Sequence, residues 1–221
     1  MSADTVRVTA LKTQIRDTSR VNVFIDGKYR FSLDITQVAE LDIKTGKEYS
    51  EKELIELENE SQFGKLYTRA LEYALIRPRS QRELRDYLYR KTRDSRMKNG
   101  AIKKGVSKEL TERVFDRLQA KGYIDDTKFA RFWVENRNVR KGSSLRKLQS
   151  ELSAKGVNQA IIEEVMTDSD RMDIDEVQKI IAKKAHRYDD EQKLIAYLAR
   201  QGFRYDDIQE ALSTIRDQMA P

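Results

Sequence analysis

The chain has 221 residues, 38% of them apolar and 36% charged, no cysteine and a net charge of +6. The lack of cysteine excludes a disulfide framework, a thiolate zinc site and a cysteine nucleophile. The low apolar share argues against one thick core and for an elongated molecule with thin cores.

The first twenty residues lack an apolar signal-peptide core, and no stretch approaches the ~18 apolar residues of a membrane span. A soluble, cytoplasmic protein is therefore expected. Charge is unevenly spread. Residues 1–62 hold 9 basic and 12 acidic residues, a balance of −3. Residues 63–156 hold 25 and 11, or +14, and residues 157–221 hold 9 and 14, or −5. A basic middle between acidic ends fits a polyanion or an acidic protein as partner, or a plainly solvated helical surface.

The N-terminal stretch reads as β. In "VNVFIDGKYRFSL" apolar residues alternate on either side of Asp26-Gly27, a dipeptide suited to a type I′ turn. "VRVTALKTQI" offers a partner strand and "ITQVAEL" a short helix. Ser50 and Glu53 form a capping box for the next helix, with Tyr49 stapled onto Leu54. Residues 1–62 thus predict a small β-hairpin module with a connecting helix.

From Phe63 the apolar period becomes 3.6, with Leu66, Ala70, Tyr73 and Ala74 on one stripe. Pro78 ends that helix, and Ser80 with Glu83 opens the next. Downstream the pattern repeats at an offset of 46 residues: Leu148 falls over Leu194, Leu152 over Leu198, Gly156 over Gly202 and Ile162 over Ile208. Leu84 and Leu88 begin an earlier, stretched copy. The spacing predicts a mainly α fold of three tandem three-helix repeats, over 63–121, 122–168 and 169–221. The first carries a basic insertion at 93–105, read as a flexible loop or an extension of its flanking helices.

Paired acids recur in "GYIDDTKFARF" and "GFRYDDIQEAL". They read as helix starts. Asp125 caps one helix, with Ile124 stapled onto Phe129. Asp189 precedes another, with Gln192 three residues on, and Asp206 stands with Gln209 near the start of the last. Asp173 and Glu176 read as a further capping box, with Met172 and Val177 as its staple. The competing reading is a metal or acid/base site, as in a metal-dependent nuclease, which needs several carboxylates to converge.

The catalytic inventory is thin. His186 is the only histidine and reads as decoration of a helix end. "GAIKKGV" has the glycine spacing of a P-loop, but Val106 stands where lysine should follow. Trp133 lies four residues from Phe129 and reads as core. No catalytic residue, cofactor or metal is assigned. The basic candidates are Arg131, Arg137, Arg140, Lys141, Arg146 and Lys147, around a helix–turn–helix corner that Gly142 permits and Ser143 or Ser144 caps. The insertion adds Arg93, Arg96, Lys98, Lys103 and Lys104. Such cations can grip phosphates or pair with acidic side chains of a protein.

"RPRSQRELRDYLYRK", "RVFDRLQAKGYIDDTKFARFWVENR", "KGSSLRKLQSELSAKGV" and "LARQGFRYDDIQEAL" together resemble the RecX family of bacterial recombinase regulators. The resemblance runs from Phe63 to the end, and the hairpin module is similar to an extension of some members. It implies a non-enzymatic helical-repeat protein. Such a protein lies in the groove of the RecA recombinase filament on DNA and restrains nucleotide hydrolysis and strand exchange in homologous recombination and DNA repair. It implies a basic face at Arg137, Arg140, Lys141, Arg146 and Lys147, with the 93–105 insertion as a departure. A monomer is expected, with single- or double-stranded DNA as a further partner. The rival reading is a helical DNA- or RNA-binding protein that needs no recombinase.

Overall fold

The computed structural model describes residues 5–219; residues 1–4 and 220–221, the outer ends of the expected first and last domains, lie outside it. The fold is mainly α, with a small N-terminal antiparallel sheet. The chain divides into two compact units. One holds residues 1–76 and 86–123, the other residues 77–85 and 124–221.

The first unit opens with strands β1 (Thr5–Thr13), β2 (Arg20–Ile25) and β3 (Lys28–Asp34). Asp26 and Gly27 both take positive φ, 47° and 80°, as the expected turn requires. A short helix α1 (Ile35–Glu40) follows, capped by Asp34 and Gln37 in a reciprocal box. A fourth strand, β4 (Glu48–Ser50), pairs with β1, so the sheet order is β3-β2-β1-β4. Three residues are too few to show an alternating pattern, and the sequence reading missed this strand. Ser50 and Glu53 form the expected box. Tyr49 and Leu54 are buried in one core cluster with Val8, Val23, Phe31 and Leu33.

Helix α2 (Glu51–Leu75) runs 25 residues without interruption, so the boundary expected at 62/63 falls inside it. Gly64 stands at the crossing with α1. A Cβ there would lie 2.4 Å from Gln37 Oε1, and Gln37 Nε2 donates to the Glu60 carbonyl at 2.7 Å. The glycine is kept for close approach and does not end the helix. Helix α4 (Lys108–Ala120) docks on α2 through Arg113, which pairs with Glu60 through both amino groups at 2.6 and 2.9 Å and lies 4.1 Å from the Phe63 ring centroid.

Helix α3 (Gln81–Lys91) begins in the second unit and ends in the first. The second unit continues with α5 (Asp126–Asn136), α6 (Leu145–Ala154) and α7 (Gln159–Thr167). It closes with α8 (Asp173–Lys184), α9 (Glu191–Arg200) and α10 (Tyr205–Met219). The residues matched at the 46-residue offset serve alike. Leu148, Leu152, Ile162, Leu194, Leu198 and Ile208 are all buried, and Gly156 and Gly202 both take positive φ.

The repeats are joined by a recurring polar latch. Ser80 Oγ accepts from Glu83 N at 3.1 Å and donates to the Lys155 carbonyl at 2.8 Å. Ser144 Oγ accepts from Lys147 N at 3.2 Å and donates to the Gln201 carbonyl at 2.7 Å. Each serine caps one helix and holds the end of the corresponding helix in the next repeat. Ser144→Ala leaves the half-buried Gln201 carbonyl and one helix start without this partner. It should cost about 1–2 kcal/mol in denaturant unfolding, with the slope unchanged.

The acid pairs divide the same work. Asp125 is the expected N-cap, accepting from Thr127 N and Lys128 N at 2.9 and 3.0 Å. Its neighbour Asp126 accepts from Gln81 N at 2.8 Å, and Asp173 accepts from Leu145 N at 2.8 Å. Two expected caps are corrected. Asp190, not Asp189, caps α9: it stands directly before Glu191, the first helical residue, and its carboxylate accepts from Gln192 N at 2.9 Å. Asp173 does not cap α8. The N-cap position is Met172, which makes no side-chain cap bond and is 57% exposed, so the expected staple is not formed. Asp206 is the second residue of α10.

Candidate interaction surface

The corner between α5 and α6 is built by three local devices. Asn138 and Gly142 take positive φ, 52° and 83°, and turn the chain. Ser144, not Ser143, caps α6. Arg171 seals the end of α5 by donating from one amino group to the carbonyls of Val134 and Arg137 at 2.7 and 2.8 Å.

Arg171 also holds Glu176, whose side chain is 1% exposed. That carboxylate accepts from Arg171 at 2.6 and 3.2 Å, from Lys179 at 2.7 Å and from the Ser143 N–H at 2.8 Å. Burial penalises its charge, but Arg171, Lys179 and the backbone donor outweigh that and hold its pKa below the usual value. Asp126 and Asp173 move the other way. Burial raises both, and for Asp173 nearby Asp207 and Glu176 add to the rise. Among the described residues no group of three or more His, Asp or Glu side chains is placed to hold a metal ion. The acids lie at separate helix junctions.

The expected corner cations sort into two kinds. Arg131 pairs with Glu164 of α7 and with Asp168, the residue that caps the end of that helix, at 3.1 and 2.9 Å. Arg137 pairs with Glu151 at 2.9 Å and lies 5.0 Å from the Trp133 ring centroid, while Trp133 Nε1 donates to the same carboxylate at 3.0 Å. These two charges are balanced within their own repeat. Arg140, Lys141, Arg146 and Lys147 are exposed, and their side chains form no ion pair among the described residues. The Lys147 ammonium reaches Gln201 Oε1 at 3.5 Å, and the Arg140 carbonyl accepts from the Lys183 ammonium.

The 93–105 insertion is neither a loop nor a helix extension. It forms a two-stranded antiparallel ribbon, β5 (Ser95–Arg96) with β6 (Ile102–Lys103), turning at Gly100 with φ 83°. Gly105 anchors its base, donating to Asp94 Oδ1 at 2.9 Å; a Cβ there would lie 2.0 Å from the Thr92 carbonyl oxygen. Arg93 lies 4.9 Å from the Tyr89 ring centroid, and Lys104 pairs with Asp94 at 3.0 Å. Arg96, Lys98 and Lys103 are exposed without an ion pair among the described residues. This ribbon belongs to the first unit and the α5–α6 corner to the second.

Sequence reasoning missed a groove of about 700 Å³ in the first unit. Lys65 and Arg69 of α2, Arg90 and Lys91 of α3, and Arg93, Lys103 and Lys104 line it, with no carboxylate among its lining residues. Burial, then repulsion from neighbouring cations that include Arg69 and Lys103, lowers the pKa of both Lys65 and Lys91. The available signal was the four-residue spacing of Lys65 and Arg69, which puts both on one helical face.

Three family models match this chain: the regulatory protein RecX N-terminal domain at residues 6–50, the RecX second three-helix domain at 125–166, and the RecX third three-helix domain at 174–212. The regulatory protein RecX of Bacillus subtilis is 30% identical over 215 residues, which cover 94% of this chain and 76% of that protein.

The chain belongs to the RecX family.

The regulatory protein RecX of Bacillus licheniformis is 29% identical, over 93% of this chain and 76% of its own. A crystal structure of regulatory protein RecX shares the fold with a TM-score of 0.66 at 21% identity, covering 93% of this chain and 99% of that one. RecX from Lactobacillus salivarius gives a TM-score of 0.54 at 20% identity, over 70% and 96%. The second and third three-helix domains of the RecX family correspond to α5–α7 and α8–α10. Among the described residues no helix is long and apolar enough to cross a membrane.

Proposed function

We propose that this RecX-family protein binds the RecA recombinase filament on DNA and restrains its ATP hydrolysis and strand exchange, without catalysing a reaction itself. The observation that carries the reading is the unbalanced charge at the α5–α6 corner of a regulatory-family fold. Arg140, Lys141, Arg146 and Lys147 face solvent on a turn held rigidly by Arg171, Glu176 and Ser144. Rim cations of this kind govern association rate and salt dependence. Arg131 and Arg137 act one step back. They hold α5 against α7 and α6 and so position the corner.

The test is a titration into preformed recombinase filaments on single-stranded DNA, reading bound protein and ATP turnover together. Neutralising Arg140, Lys141 and Arg146 to Gln should raise the concentration needed for half-inhibition on the order of tenfold and flatten its salt dependence. Inhibition unchanged across the salt series would count against the corner. Equal binding to bare strands and to filaments would favour a nucleic-acid-binding protein that needs no recombinase.

A further inference from the structure

We infer that the groove between α2, the end of α3 and the β5–β6 ribbon is a second binding site, distinct from the corner, that takes the phosphodiester backbone of single-stranded nucleic acid. Three observations meet there. The first is density of charge with little compensation. Seven cations line one concavity with no carboxylate among its lining residues. Of the seven, Lys104 has an acidic partner, Asp94 at 3.0 Å outside that lining, whereas Arg113, Arg131 and Arg137 elsewhere are each paired with acids. Clustered like charges in a half-buried groove cost folding free energy, and a bound anion relieves that cost.

The second is shape. The cations come from two helices and the ribbon and converge on one groove, so a ligand presenting charges in series meets several at once. A single strand supplies one phosphate per nucleotide along a flexible chain. The carboxylates of a folded protein surface are less densely strung. A concave groove of about 700 Å³ admits a strand more readily than the convex cylinder of a duplex.

The third is aromatic and lies at the groove's border, not in its lining. Tyr89 is 52% exposed and packs on Arg93, and Tyr87, stacked on Tyr73 at 4.4 Å, lies 4.6 Å from the Lys91 ammonium, so the rings flank the groove through two of its lining cations. Rings interleaved with cations are how proteins hold single strands without reading sequence, stacking bases while the cations meet phosphates. The ribbon is then more than an insertion. Lys103 and Lys104 form one wall of the site.

The experiment is fluorescence anisotropy of a labelled oligothymidylate with the full chain and no recombinase, over a salt series. The native chain should bind with a salt slope that the Lys65→Gln, Arg69→Gln, Lys103→Gln triple variant reduces by about 2, with at least a tenfold loss of affinity at low salt. Neutralising Arg96 and Lys98, ribbon cations that do not line the groove, should change affinity less than threefold. Lys103→Gln alone, on the exposed ribbon, keeps the test open if the triple variant fails to fold; it should reduce the slope by about 0.7. Three results would overturn the proposal: no loss in either groove variant, an equal loss from the Arg96/Lys98 control, or displacement of the oligonucleotide by polyglutamate at equal charge concentration. The filament titration of the α5–α6 corner reads a different surface, so either proposal can fail alone.

Discussion

Replacing Arg171 with Ala should lower the unfolding free energy by about 3–5 kcal/mol, more than any surface substitution in the chain. Arg171 does two jobs. It satisfies the Val134 and Arg137 carbonyls at the end of α5, and it neutralises Glu176, whose side chain is 1% exposed. Removal leaves a buried carboxylate with Lys179 and the Ser143 N–H as its remaining donors, and it frees two carbonyls. Chemical denaturation of the whole chain reads the loss, with Lys179→Ala as a milder companion because that side chain is 40% exposed. A loss below 1 kcal/mol for Arg171→Ala would mean that water replaces the guanidinium without cost.

The same pair predicts a pH signature. Glu176 has its folded pKa lowered, with burial opposing and Arg171, Lys179 and the Ser143 N–H prevailing. A depressed carboxylate contributes stability that is present above its unfolded value, near 4.5, and is lost as pH falls through the folded pKa. Asp126 and Asp173 have raised pKa values, so their contribution has the opposite sign and favours the native state at acid pH. The acid limb of stability should therefore be shallower in Glu176→Gln than in the native chain, measured as unfolding free energy between about pH 3 and pH 6.

The second large effect is expected at Gly142. Its φ is +83°, and an added Cβ would lie 2.5 Å from the Glu176 carbonyl oxygen and 2.7 Å from Ile180 Cγ1. The conformation alone costs an L-residue about 1–2 kcal/mol. The contact is with backbone, which moves only by displacing α8. Gly142→Ala should thus lose about 3 kcal/mol or more, and it should weaken filament inhibition with it, because the corner carries Arg140, Lys141 and Arg146. Gly122→Ala is the internal comparison. Its φ is +71° with nothing within 4 Å, so only the conformational part should be lost. Equal losses at the two glycines would mean that α8 yields freely and the corner is not rigid.

Much of this architecture is legible in the sequence, and the reason is local. A type I′ turn needs positive φ at Asp26 and Gly27, whatever lies around it. Asp125 caps α5 by reaching N–H groups two and three residues on. The leucines and isoleucines at 46-residue spacing fall on core faces, and the glycines on left-handed turns, because each repeat solves the same packing problem. Reading by local pattern fails where a side chain leaves its own turn. The spacing of Asp173 and Glu176 matches a capping box, yet one accepts from Leu145 and the other from Arg171, Lys179 and Ser143. The 93–105 insertion has too few apolar residues to show a strand period, so its ribbon is invisible in composition.

The candidate surface divides in the same way. That residues 93–147 are rich in cations follows from counting. Which cations are free does not, because Arg131 and Arg137 find acids 14 to 37 residues away that only packing brings within 3.2 Å. Lys65 and Arg69 lie outside every basic run, and they join Arg90, Lys91 and Lys103 once α2, α3 and the ribbon surround one groove. Periodicity, turns and most caps are contracts between residues a few positions apart, so the order of monomers settles them and with them the repeat fold. Charge pairing acts through space between distant segments, so the chain had to fold before any cation was either neutralised or left facing a partner.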